Sequence, residues 1–150
     1  MKSGEVEIRP WQAGDFARLA AAAPRLSAWT LFLRFRAGMP GLPATYLTST
    51  RGRWPLRWDA VVALDGEDLV GWAEFGRYAE DPGRADIGMC VVDDEQGRGI
   101  GTALAAALLD LARGAGLRSL HADIEPGNVA AHRVWVRTTG SWAPTFALAG

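Results

Sequence analysis

One stretch restricts this chain more than any other. Val91-Val92-Asp93-Asp94-Glu95-Gln96-Gly97-Arg98-Gly99-Ile100-Gly101-Thr102 joins a run of strand character to a helix. Ala85 to Val92 reads as the strand. From about Gly99 to Arg113 the residues Ile100, Leu104, Leu108 and Leu111 share one helical face, and Gly114 and Gly116 stop the helix. Leu120 to Ile124 reads as the next strand, which must pair parallel to the first across that helix. The loop therefore lies between a strand end and a helix start. A helix N-terminus presents unpaired N–H groups and the positive end of the helix dipole. Glycines at alternate positions let the backbone approach a ligand closely. Arg98 adds a cation. The stretch reads as an anion cradle, with a plain glycine-rich turn as the alternative.

Two other phosphate loops are excluded by spacing. A dinucleotide fingerprint, Gly-x-Gly-x-x-Gly, would need its third glycine at Thr102 if it began at Gly97, or at Leu104 if it began at Gly99. A P-loop needs Gly-Lys followed by Ser or Thr, and the chain has none. The loop also follows an antiparallel meander, not a first parallel strand.

The remaining elements follow from pattern. Val6-Glu7-Ile8-Arg9 is a short strand that stops at Pro10. Asp15 is the expected N-cap of a helix with Phe16, Leu19, Ala20 and Ala23 at helical spacing, ended by Pro24. A second helix begins near Ser27, with Trp29, Phe32 and Leu33 as its expected buried stripe and Gly38 as its stop. Met39 to Arg57 is rich in Pro, Gly and Thr, with room for a short helix from Pro43. Ala60 to Leu64, the turn Asp65-Gly66, and Leu69 to Phe75 form a hairpin. Asp81-Pro82-Gly83 makes the next turn, and Asn128 begins a last helix. The expected fold is α/β in the α+β sense: a mixed, mostly antiparallel sheet flanked by helices, with one β-α-β unit.

Size and charge narrow the function. A chain of 150 residues, 49% apolar and 22% charged, is expected to form one domain spanning 1–150. A formal net charge of −1 gives no basic field to recruit nucleic acid or an anionic membrane. No stretch approaches the ~20 apolar residues of a membrane span, and the N-terminus has no apolar signal core, so the expected location is cytoplasmic. Cys90 is alone, which excludes an internal disulfide and a cysteine metal site.

Gln96-x-x-Gly99-x-Gly101 resembles the coenzyme A loop of the Gcn5-related N-acetyltransferases. The order of elements from Val6 to about Gly140 is similar as well. The resemblance implies acetyl-CoA as acyl-donor cosubstrate, an amine acceptor (a small molecule or a protein lysine) and no metal. It implies that the backbone of Met89, Cys90 and Val91 pairs with the pantetheine arm. It implies that Gly97, Arg98, Gly99, Ile100, Gly101 and Thr102 cradle the pyrophosphate, with Gln96 heading the loop. Asn128, with Ala131 three residues on, matches the Asn-x-x-Ala helix start beside the coenzyme. Ser27-x-x-Thr30-x-x-Leu33-Arg34-Phe35 is similar to the segment before the acceptor site of Pat-type bacterial protein-lysine acetyltransferases. Those carry a glutamate base at the start of the strand entering the loop, and Asp86 stands there, with a shorter reach.

The chain departs from that family in two places. Many members have a tyrosine seven residues after the Asn, as acid for the departing thiolate. Trp135 stands there, and an indole N–H donates a hydrogen bond but is no acid in this range. This keeps open a coenzyme-binding protein with weak or no catalysis. The family usually closes its sheet with two more strands. After Gly140 there is room for one at most, with Pro144 interrupting it. The truncated end leaves an open sheet edge, either covered by a partner chain, as in a homodimer, or irregular.

The implied chemistry is aminolysis of a thioester. An acceptor amine has an ordinary pKa of ~10.4 and must lose a proton before attack. Asp86 is the first choice of base, and a solvated acid beside Arg84 is its alternative. Glu74 is the second choice, and an exposed cross-strand acid is its alternative. Asp86, Gly88 and Cys90 are expected to face away from the core, with Ile87, Met89 and Val91 facing in. His121 and Asp123 share a strand face, as a proton relay or a surface pair. His132 lies one turn beyond Asn128, near the coenzyme or on the helix surface. Cys90 is an acyl nucleophile or, more simply, a small buried residue. Trp29, Trp54, Trp58 and Trp72 supply either an acceptor wall or core packing. Arg34, Arg51, Arg53 and Arg57 offer cations to an acidic acceptor, or are solvated.

Overall fold

The computed structural model describes residues 5–35, 46 and 57–148. Gly38, the helix expected from Pro43, and Arg51, Arg53 and Trp54 lie outside the described residues, apart from Tyr46, which is helical. Six strands form one sheet in sequence order: β1 (Glu7–Pro10), β2 (Trp58–Asp65), β3 (Asp68–Arg77), β4 (Arg84–Val91), β5 (Ser119–Ala122) and β6 (Thr145–Ala147). Every neighbouring pair is antiparallel except β4 and β5, which are parallel. The parallel pair follows from the β-α-β unit, as expected. Asp65 pairs with Asp68, so Gly66 and Glu67 form the hairpin turn, and Gly66 takes a left-handed φ of 63°.

Four helices flank the sheet among the described residues: α1 (Asp15–Ala22), α2 (Ala28–Phe35), α3 (Ile100–Gly114) and α4 (Val129–Thr139). α3 packs close on β3: a Cβ on Gly71 would lie 3.1 Å from Leu104 Cδ1. α1 and α2 cover the opposite face. With both faces covered, β2 and β3 are buried nearly throughout, which is why their sequences run apolar instead of alternating. Cys90 is buried for the same reason, in keeping with the small buried residue expected there. Leu19, Leu31, Leu104, Leu108 and Leu120 are each fully buried, and burying such a side chain contributes ~1.5–3 kcal/mol.

The structure corrects several local expectations. Asp15 is not the N-cap; Gly14 holds that position and Asp15 is the first helical residue, fully buried. Arg9 grips its carboxylate with Nη1 at 2.8 Å and Nη2 at 2.9 Å, and the Gln12 backbone N–H donates at 2.7 Å. Burial opposes this carboxylate's charge, but Arg9 and Gln12 outweigh it and hold Asp15 below the usual carboxylate range. Ala20 is exposed, and Ala22 takes its place on the buried face of α1.

In α2 the buried residues are Thr30 and Leu31, while Trp29 is 61% exposed and stacks on Phe32. Polar bonds set this rotation. Ser27 Oγ accepts from the Thr30 N–H at 3.1 Å, Asp93 accepts from the Ser27 N–H at 2.9 Å, and Gln96 Nε2 reaches Thr30 Oγ1 at 3.4 Å. β5 ends at Ala122, so Asp123 and Ile124 lie beyond it.

Candidate functional site

The parallel pairing of β4 and β5 runs only from Arg84↔Ser119 to Ile87↔Ala122. β4 continues to Val91, so residues 88–91 have no β5 partner. The strands part there, and a cleft of about 100 Å³ opens between them. Met89, Leu108, Val134 and Trp135 form its apolar wall, and Arg34 and Gly88 stand at its α2 end. An unpaired strand edge offers backbone donors and acceptors to an extended ligand.

The unpaired stretch runs into the glycine loop. Gly97 and Gly99 have φ of 83° and 81°, and Gly99 is the left-handed residue preceding α3. A Cβ at either would meet nothing within 4 Å, so conformation, not crowding, calls for glycine there. Gly101 differs: a Cβ there would make ordinary contact with Val134 at 3.5 Å. Ala103 N–H donates to Gly99 O at 3.1 Å, which starts the helix and leaves the first-turn N–H groups of α3 facing the loop. Ile100 is buried and anchors that turn, and Thr102 is half-buried. Gln96 Nε2 donates to Val91 O at 2.9 Å and ties the loop to the end of β4.

An anion site just after Asp93, Asp94 and Glu95 needs those acids balanced. Ser27 N–H donates to Asp93, Arg25 pairs with Asp94 at 2.7 Å, and Arg98 pairs with the buried Glu95. The Arg98 cation is thus partly committed within the protein.

Asn128 precedes α4 and its side-chain oxygen accepts from the Ala131 N–H at 3.1 Å. The Asn-x-x-Ala spacing is therefore a helix cap, and Asn128 and Ala131 both line the cleft. Trp135 lines it too, but its indole N–H donates to Ala143 O at 2.8 Å, in the segment leading to β6.

The two candidate bases differ in setting. Asp86 is exposed, accepts from the Tyr78 hydroxyl, and adjoins the cleft residue Ile87. Glu74 is only 5% exposed and is not a cross-strand surface acid. It accepts from Trp58 Nε1 at 2.9 Å, from Trp72 Nε1 and from the Tyr46 hydroxyl, and its Oε2 lies 3.3 Å from Arg34 Nη2. Burial opposes the Arg34 charge, but Glu74 more than offsets it and raises the guanidinium above its ordinary value. Burial, then Glu74, holds the Tyr46 phenol well above its usual value, so it acts as a neutral donor.

Sequence reasoning did not assemble this cage. On the sequence Trp58 and Trp72 stand either as an acceptor wall or as core packing; in the structure both indoles donate to Glu74. One signal was available: Trp72 and Glu74 alternate on β3, and Ala60 pairs with Glu74, which puts Trp58 on the same face.

The other candidates are placed as follows. Burial pushes the Cys90 thiol up to about 12, which removes it as a nucleophile near neutral pH. His121 Nδ1 lies 3.1 Å from Thr145 Oγ1, while Asp123 lines the cleft. His132 packs near Trp142, with ring centres 6.0 Å apart. Among the described residues no group of three or more His, Cys, Asp or Glu is arranged to hold a metal, and no helix is long and apolar enough to cross a membrane.

Known proteins share this fold. A family model described as Acetyltransferase (GNAT) family matches residues 29–140. Acetyltransferase Pat of Mycolicibacterium smegmatis is 28% identical over 137 residues, 90% of this chain and 41% of that protein. The chain thus spans less than half the length of that relative. Among solved structures, the GNAT domain of S. lividans PAT superposes with a TM-score of 0.82 at 22% identity, over 97% of this chain and 89% of that one. The yncA protein of Salmonella typhimurium, solved with its cofactor acetyl-CoA, gives a TM-score of 0.69 at 21% identity, over 86% and 75%. The span matched by the family model holds the β4–β5 cleft, the glycine loop and the Asn128 cap, and on that match the chain belongs to the acetyltransferase (GNAT) family.

Proposed function

We propose that this chain is an N-acetyltransferase that moves an acetyl group from acetyl-CoA to an amine. One observation carries the reading: the unpaired edge of residues 88–91 leads directly into the glycine loop at the start of α3. Such an arrangement suits an extended arm ending in a diphosphate. The loop N–H groups take the diphosphate, with Gly97 and Gly99 keeping the backbone open, and Arg98 adds charge. The backbone at Met89, Cys90 and Val91 takes the arm, and Asn128 holds the start of α4 against it. Family membership and the acetyl-CoA carried by yncA support this choice of donor.

Asp86 is the base in this reading. It is exposed beside the cleft, where an incoming ammonium can give up its proton. The amine nitrogen then attacks the thioester carbon, a backbone N–H of residues 89–91 takes the developing oxyanion, and the C–S bond breaks to release thiolate. Glu74 is already engaged by four donors, so its role is to hold Arg34. Trp135 favours a second reading, a coenzyme-binding protein without turnover, because its only side-chain donor is engaged by Ala143 O.

A thiol-release assay with acetyl-CoA and a panel of amines separates the two. The expected result is amine-dependent release that Asp86→Asn slows by about 10²-fold or more, while acetyl-CoA affinity is kept. Tight binding without amine-dependent release would establish the second reading instead.

A further inference from the structure

Arg34 is a cation at the cleft with bonding capacity left over. It comes from the last turn of α2 and lies on Gly88, where β4 leaves β5. A Cβ on Gly88 would fall 2.6 Å from Arg34 Nε, so the bare backbone there makes room for the guanidinium. Its single carboxylate contact among the described residues is long, 3.3 Å from Nη2 to Glu74 Oε2. Glu74 meanwhile accepts from Trp58, Trp72 and Tyr46, so it has neutral donors of its own. Arg34 Nε is buried and has no hydrogen-bond partner among the described residues. Buried donors are ordinarily paired, and an unpaired one in a cleft wall is a place for a ligand acceptor. The planar guanidinium fork matches a carboxylate.

The second half of the argument is Asp86. Side chains alternate along a strand, so Asp86 and Gly88 share a face of β4. Glu74 pairs with Gly88 and Gly76 with Asp86, which places the Arg34 guanidinium and the Asp86 carboxylate on that same face. Gly88, on which the guanidinium lies, and Asp86 are two residues apart along β4, a rise of roughly 7 Å. This face of β4, beside the cleft, therefore offers an anion for an ammonium and a cation for a carboxylate.

We propose that the acceptor is a small amino-acid-type molecule, its carboxylate held by Arg34 and its amine presented at Asp86. This rests on the N-acetyltransferase reading above and names its substrate class. An internal protein lysine has no carboxylate of its own near its amine and does not use this pair.

The test is acceptor selectivity in the acetyl-CoA thiol-release assay. Free α-amino acids are compared with their carboxamides, with the decarboxylated amines and with a lysine peptide. The expected kcat/KM for the acid exceeds that for its amide by tenfold or more, chiefly through KM. Arg34→Gln brings that ratio close to one, and Arg34→Lys, which keeps charge without the fork, leaves it between the two. Equal rates for acid and amide in the unaltered protein would overturn the proposal, as would preference for the lysine peptide. So would an Arg34→Gln variant that lowers acid and amide by the same factor, since that marks a purely structural tie to Glu74. If Arg34→Gln loses its melting transition, the acid-to-amide ratio of Arg34→Lys decides the question alone. Release with no acid preference defeats this inference and leaves the enzyme reading standing; acetyl-CoA binding with no release by any amine defeats both.

Discussion

At the scale of single residues, Asp15 shows how a buried charge is kept. A carboxylate at a helix start reads from sequence as a cap, and only the fold brings Arg9 from β1 against it. Its pKa is depressed, so its stabilisation is fully present above the unfolded value of about 3.9 and is lost as pH falls through the lower folded value. Asp15→Asn leaves Arg9 facing a neutral amide and is expected to cost about 3 kcal/mol at neutral pH. In a chain of this size that is roughly 6–12 °C of melting temperature. The gap between variant and parent should narrow as pH falls below about 4, because the unfolded parent then takes up a proton that the folded carboxylate resists until lower pH. A gap that stays constant in melting curves down to about pH 2.5 would show that packing, not charge, is what Asp15 contributes.

At the scale of elements, α3 and its loop were legible and α2 was not, for a physical reason. The apolar spacing of Ile100, Leu104 and Leu108 fixes which face of α3 meets the sheet, and the structure buries all three. In α2 the rotation is decided by Ser27, Thr30, Asp93 and Gln96, partners separated by more than sixty residues. No local pattern encodes such bonds, so the apolar Trp29 was placed inside and lies outside. The glycine loop makes its own prediction. Gly99→Ala forces a side chain into φ of 81°, which costs about 1–2 kcal/mol, and tilts the first N–H groups of α3. Acetyl-CoA affinity, measured by titration calorimetry, should fall more than stability alone explains, by about tenfold or more. Gly101→Ala is the contrast. It sits in the first turn of α3 with only ordinary contacts, so the unliganded protein should melt no lower than the parent. Equal losses of affinity and stability in the two variants would remove the case for a conformational role of Gly99.

At the scale of the whole molecule, the sheet is a continuous β1–β4 block joined to β5, β6 and α4 through four paired residues of β4 and through α3. The antiparallel-then-parallel order was readable from one constraint, that a strand–helix–strand unit must run parallel. The Glu74 cage was legible only in its Trp72–Glu74 part, since Arg34, Tyr46 and Trp58 come from distant parts of the chain. A ligand lying in the cleft touches both sides of the seam, the β4 edge on one and Asn128, Ala131 and Val134 on the other. It should therefore stabilise the fold as a unit. At a hundredfold excess over Kd the gain is about 2.7 kcal/mol, roughly 5–11 °C in melting temperature. Inorganic pyrophosphate, which can occupy only the loop, should give a smaller rise. Hydrogen exchange separates the two contributions. Acetyl-CoA should protect the amides of residues 88–91 and of the loop from 97 to 102, and pyrophosphate only those of the loop. If acetyl-CoA raised the melting temperature yet left residues 88–91 unprotected, the diphosphate would be held in the glycine cradle while the β4 edge stayed empty. The thioester would then not reach Asp86, and the catalytic assignment built on that edge would fall.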